Sequence, residues 1–217
     1  MKRIRMITDI AMTVLLPLLM AYSLIGEKYH EVIGVIMMIL FVVHHIFNYR
    51  WYKNLFKGRY DIRRSIQVII NISLTILMIL QPLSGILISK HLFTFIEIDG
   101  SAVFRQIHLF CAYWSFVLMS IHAGMHLNGP LMRLKRDKER LWKVLSITAI
   151  VASLYGVFTF FKRDFLSYMF LRSVFVFIDL SEPVLFFLLD HISIMILLMN
   201  MGIILTKTGM TFSDRSR

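Results

Sequence analysis

Seven of the eight histidines in this 217-residue chain fall within or at the edge of long apolar runs. They are His30, His44 and His45, then His108, His122 and His126, then His191; His91 alone lies in a loop. An ionisable side chain in hydrocarbon is costly and calls for a nearby partner, and for neutral imidazole a transition metal is a suitable one. The spacing carries the argument. His30 to His44 spans fourteen residues, and His108 to His122 spans fourteen again. On an α-helix that interval is about 21 Å and returns to within about 40° of the starting face, so each helix offers two imidazoles facing one way.

Helices must position these side chains, and the composition says in what solvent. The chain is 58% hydrophobic with mean hydropathy +0.71, too apolar for an ordinary soluble domain of this length. A bilayer core of about 30 Å needs roughly 20 apolar residues per helix. Six such runs are separated by charge clusters: residues 7–25, 30–48, 66–88, 103–127, 144–161 and 184–205. The expected fold is all-α, a single-domain membrane bundle of about six helices. The first run follows a basic start like that of a signal peptide, but its apolar core is nearer a span's length and Ala21-Tyr22-Ser23 is a poor cleavage site.

The net charge of +11 is distributed by loop rather than spread. Eighteen of the 24 Lys and Arg residues lie at the N-terminus, between the second and third runs, between the fourth and fifth, and in the tail. The intervening loops carry only Lys28, Lys90, Arg105, Lys162, Arg163 and Arg172. The asymmetry predicts that both termini face the cytoplasm. Attraction of the basic loops to anionic membrane lipid accounts for the charge without a nucleic-acid partner. The single cysteine, Cys111, excludes an internal disulfide and the attachment site of c-type haem. No Gly-rich nucleotide loop is present.

In that topology the second and fourth helices run the same way, so their histidines lie level in pairs. The expectation is two b-type haems, an outer one between His30 and His108 and an inner one between His44 and His122. Iron with two imidazole ligands has no vacant position for substrate, so the site moves electrons and no catalytic residue is assigned. Arg105 and Lys90 outside, and Arg50, Arg63 or Arg64 inside, are candidate propionate partners. Gly34, Gly85 and Gly124 can admit a flat macrocycle or a neighbouring helix.

Other assignments remain open. His45 lies about 100° from His44 and is its alternate; His126 lies one turn after His122 and keeps the face of His108 at an eighteen-residue interval. Asp190-His191 can relay protons, line a quinol site, supply the outer ligand in place of His30, or form a local polar pair. His122-Ala123-Gly124-Met125-His126 lacks the glutamate that a zinc protease needs after its first histidine. Residues 164–180 read as an interfacial or shallow re-entrant segment, acting as a structural cap or as the roof of a quinone pocket. Two other functions compete with electron transfer: a histidine-based metal or proton transporter, and a haem-free anchor of a redox complex.

Nearly end to end, the sequence resembles the flavinylation-associated cytochromes of bacterial membranes. The resemblance is carried by His30-Glu31, His44-His45 leading to Asn48-Tyr49-Arg50-Trp51, Leu83-Ser84-Gly85, and His108 through Ala112-Tyr113-Trp114 to His122 and His126. Tyr155-Gly156, Phe177-Ile178-Asp179 and Asp190-His191 extend it. It implies a relative of the four-helix b-type cytochrome cores, working in electron transport. Menaquinol or another membrane donor would stand upstream, and an extracytoplasmic flavoprotein or reductase downstream. The flavin would belong to that partner.

Overall fold

The computed structural model describes residues 2–96, 101–177 and 179–215. Ile178 and Arg217, used above for resemblance and charge, lie outside them. Among the described residues every regular element is helical: α1 (Lys2–Met20), α2 (Tyr22–Ile25), α3 (Glu27–Phe47), α4 (Tyr49–Lys53), α5 (Ile62–Leu87), α6 (Ser101–Asp137), α7 (Glu139–Lys162), α8 (Phe165–Met169) and α9 (Val184–Arg215).

Among the described residues five helices are long and apolar enough to cross a membrane: α3, α5, α6 from Ala102, α7, and α9 through Thr208. They correspond to five of the six expected runs and make this a multi-pass membrane protein. The run 7–25 differs. Its helix is interrupted at Ala21, and every 18-residue stretch of α1 includes Arg3, Arg5 and Asp9. Two helices outrun the expected boundaries, α6 by continuing through Pro130 to Asp137 and α9 by continuing to Arg215. A helix needs apolar residues only where lipid surrounds it, so a hydropathy run marks the buried part and not the helix.

The chain forms two compact units, Met1–Gly58 with Thr75–Ser115 and Phe165–Leu188, and Arg59–Leu74 with Phe116–Asp164 and Leu189–Arg217. In the first, α1 packs along α3. Gly26 separates α2 from α3 with φ +92°, a conformation that glycine adopts without strain. Its carbonyl accepts the N–H of His30 at 3.1 Å, which sets His30 in the opening turn of α3. In α8, Phe165, Tyr168 and Met169 are buried, and Tyr113 of α6 stacks on the first two. Trp114 Nε1 donates to the Met169 carbonyl at 3.0 Å. Beyond α8 the chain is irregular and Phe170, Phe175, Phe177 and Leu180 are exposed. The segment 164–180 thus contains one buried helical turn pinned to α6.

In the second unit, glycines let backbones touch. A Cβ on Gly124 of α6 would strike the Met199 carbonyl of α9, and one on Gly202 of α9 would strike the Ile121 carbonyl of α6. Gly156 of α7 lies in the same way against the Ser193 carbonyl of α9. Gly124 is therefore a helix-packing glycine. Gly34 faces open space, with nothing within 4 Å of its Cβ position.

Candidate functional site

His30 opens α3 and His108 sits two turns into α6; their rings lie 6.0 Å apart by centroid at an interplanar angle of 70°. The hydrogen bonds around His108 fix its tautomer. Nδ1 lies 3.1 Å from the Gln81 carbonyl and 3.3 Å from Ser84 Oγ, whose own proton goes to the Leu80 or Gln81 carbonyl. Nδ1 must then carry the ring proton, leaving the lone pair on Nε2, where the Gln81 amide donates at 3.1 Å. The ring rests on bare backbone, since a Cβ on Gly85 would come within 3.1 Å of His108 Cε1. Tyr22 approaches His30 edge-on at 5.2 Å. Two buried polar atoms here make no hydrogen bond, His30 Nδ1 and Gln81 Oε1, although the Leu19 carbonyl is near the His30 ring.

Beside this pair, Glu31 organises the segment after α5. Its carboxylate accepts the Ser89 hydroxyl at 2.8 Å and the backbone N–H groups of Lys90 (2.8 Å), His91 (3.3 Å) and Leu92 (2.8 Å). Lys90 Nζ binds Glu27 Oε1 at 2.8 Å, which occupies one of the expected propionate partners. Of the others, Arg64 donates to the Arg59 carbonyl at 3.1 Å and lies over the Tyr60 ring.

At the far end of α3, His44 Nδ1 donates to Asp9 Oδ1 of α1 at 2.7 Å. His45, the alternate, turns back along its own helix, with Nδ1 donating to the Phe41 carbonyl at 2.9 Å and its ring against Phe41 and Tyr52.

In the second unit, His122 Nδ1 donates to Asn71 Oδ1 of α5 at 2.8 Å, and the His126 ring lies 4.7 Å from that of His122. His122 is half-buried whereas His126 is exposed. His191 is 2% exposed and meets Phe116 edge-on at 5.9 Å. Its neighbour Asp190 is the centre of a polar cluster: Oδ2 accepts from Lys162 Nζ at 2.8 Å and from Arg163 Nε and Nη2 at 2.9 and 2.7 Å, while Tyr155 donates to Oδ1. Asp190 thus binds two cations and a phenol of α7 and the residue that follows it. One turn away Thr159 and Ser193 share a hydrogen bond of 3.0 Å, and further along Asn200 donates to Ser153 Oγ at 2.8 Å.

No family model, curated protein or solved structure matches the chain. What the site can do rests on its own chemistry. In His44, His45, His108 and His122 alike, Nδ1 faces an acceptor and holds the proton, so Nε2 carries the lone pair in all four. Metal-binding histidines are prepared in just this way, by an acceptor on one nitrogen that turns the other toward the metal. Among the described residues no group of three or more His, Cys, Asp and Glu side chains converges as for a bare metal ion.

Spacing identifies the histidines and not what holds them: Asp9, Asn71 and Gln81. A signal existed. Asp9, Asn71 and Gln81 are polar residues inside apolar runs, where each needs a partner as much as a histidine does.

Proposed function

We propose that this chain is an electron-transfer protein of the bacterial cytoplasmic membrane, holding two b-type haems between imidazole pairs and passing electrons from quinol to an extracytoplasmic flavoprotein or reductase. One observation carries the reading above others: the His30 and His108 rings lie with centroids 6.0 Å apart, and the His108 proton is held on Nδ1. His30 and His108 are the residues that would hold a haem here, imidazole nitrogen being a suitable donor to iron. Two imidazoles from α3 and α6, with no group of three or more His, Cys, Asp and Glu converging among the described residues, fit a metal whose other positions a macrocycle fills. A bare ion would need three or four protein ligands. For iron to reach Nε2 of His108 the Gln81 amide has to turn aside, and its Oε1 has no partner to hold it in place.

His44 in the first unit and His122 in the second each have Nδ1 anchored, to Asp9 and to Asn71, which prepares Nε2 of each as a ligand. Bound between such pairs, haem iron supplies reversible one-electron chemistry. The donor, menaquinol or another quinol, releases two electrons and two protons as it becomes quinone, and the electrons leave singly. The likeness to flavinylation-associated cytochromes supports the flavoprotein as acceptor, and the charge asymmetry supports a cytoplasmic side for the basic loops that follow α3 and α6.

The test is a reduced-minus-oxidised absorption spectrum of the full chain purified in detergent, with haem quantified per chain, for the native protein and for His108→Ala and His122→Ala. Two haems falling to one in each variant is the expected result. Absence of haem after haem-replete expression would overturn the reading.

A further inference from the structure

At the start of α1 the Arg5 guanidinium lies over the Phe47 ring at 5.8 Å, and its Nε is buried with no hydrogen-bond partner among the described residues. Asp9, one turn further along α1, has Oδ1 on His44 Nδ1 at 2.7 Å. Phe47 ends the apolar span of α3, so Arg5 sits at the depth where hydrocarbon gives way to headgroups. Because α4 begins directly after Asn48, the start of α1 and α4 lie at the same end of α3 within the first unit. Residues 2–8 and 48–58 carry Lys2, Arg3, Arg5, Arg50, Lys53 and Lys57, and neither Asp nor Glu. Arg3 and Arg5 stand in the first turns of α1, the end at which the helix dipole opposes a cation. Among these cations lie Tyr49, Trp51 and Tyr52, aromatic residues of the kind that settle at the membrane–water interface. Positive charge collected here without a carboxylate calls for an anion from outside the chain.

We infer that this end of the first unit binds the phosphate of one anionic phospholipid, with Arg5 as the anchoring donor and Arg50 and Lys53 adding charge. A guanidinium presents a planar fork that matches phosphate oxygens, and one already seated on an aromatic ring loses less freedom when it binds. A lipid fits better than free phosphate, because Arg5 is level with the end of a span, where lipid phosphates stand in any bilayer. The basic loop after α3 belongs on the cytoplasmic side by its charge, and that leaflet is the one rich in anionic lipid. General attraction of basic loops to such a membrane asks nothing of any one residue; a site does. The bound lipid would fasten α1, which is not among the five apolar spans, to the end of α3, one turn from the bond between Asp9 and His44. The inference does not depend on the haem reading.

The experiment is native mass spectrometry of the full chain in nonionic detergent, titrated with phosphatidylglycerol or with phosphatidylcholine of the same acyl chains, for the native protein, Arg5→Gln and Lys53→Gln. The native chain should retain one phosphatidylglycerol under conditions that strip phosphatidylcholine. Arg5→Gln should weaken that binding about thirtyfold or more, since charge and hydrogen bonds go together, whereas Lys53→Gln removes an exposed charge of the same sign and should weaken it about fivefold or less. Amide exchange over the first two turns of α1 gives a second reading that needs no variant. In the native protein phosphatidylglycerol should slow this exchange, and phosphatidylcholine or inorganic phosphate should leave it as it was. Equal losses in the two variants would reduce the site to diffuse attraction and overturn the inference. Exchange unaltered by phosphatidylglycerol would overturn it too, and so would equal protection by inorganic phosphate, which would make this a site for free anions.

Discussion

Replacing Asp190 with asparagine tests whether the Asp190 cluster holds α7 to α9. The substitution keeps the shape but removes the charge that two cations share, and an amide has one acceptor oxygen where the carboxylate has two. Lys162 is 44% exposed, so its pairing resembles a surface ion pair and contributes about 0–1 kcal/mol. Arg163 is only 14% exposed and donates twice, to an oxygen on a side chain that is itself 1% exposed. Stranding a largely buried cation typically costs about 3–5 kcal/mol, and the partial exposure places the whole change near the lower end, about 3 kcal/mol. That is more than a hundredfold in the unfolding equilibrium. Unfolding followed by circular dichroism in detergent, with SDS as denaturant, reads this directly. The companion variant Asp190→Leu with Arg163→Met removes the carboxylate together with its most buried partner and should recover much of the loss, since Lys162 and Tyr155, which also bind Asp190, are 44% and 45% exposed and can turn outward. A loss below about 1 kcal/mol in Asp190→Asn, or no recovery in the double variant, would show that the cluster is a solvated surface arrangement and refute the reasoning.

Gly85→Val should displace the His108 ring, because a Cβ already comes to 3.1 Å from Cε1 and 3.4 Å from Nδ1 and a branched side chain adds to that crowding; the expected outcome is loss of one haem per chain with the helical circular dichroism retained. Glu31→Gln removes the charge that three backbone N–H groups and one hydroxyl share. At about 1.5–3 kcal/mol for hydrogen bonds to a charged group, amide exchange of Lys90 and Leu92 should accelerate roughly tenfold or more by mass spectrometry, while exchange in the middle of α5 stays as it was.

The five apolar helices were legible because lipid imposes one rule on every residue it surrounds, and a run of about 20 apolar residues is the direct imprint of that rule. The run 7–25 obeyed the composition and hid a local event, the interruption at Ala21, to which hydropathy is blind. The overrun of α6 past Pro130 had the same cause in reverse: where a helix leaves lipid its sequence becomes polar, and the periodic signal ends before the hydrogen bonding does. The fourteen-residue spacing identified histidines that share a face, and within the first unit His30 and His108 do meet across two helices. Which atom grips each Nδ1 was not legible, because Asp9 and His44 are 35 residues apart and Asn71 and His122 are 51 apart. Such pairings depend on which helices are neighbours, and spacing along one helix does not encode that.

The crossing of α6 and α9 has a further consequence. Gly124 faces the carbonyl three residues before Gly202, and Gly202 faces the carbonyl three residues before Gly124, so the contact repeats itself when the two helices are exchanged. Sliding either helix by one residue, about 1.5 Å, would bring Ala123 or Met125, or Met201 or Ile203, against a carbonyl that tolerates no Cβ. The crossing therefore pins the register of α6 against α9. His122, two residues before Gly124, inherits its depth along the helix axis from this pin. The height of that imidazole is written in two glycines rather than in the histidine.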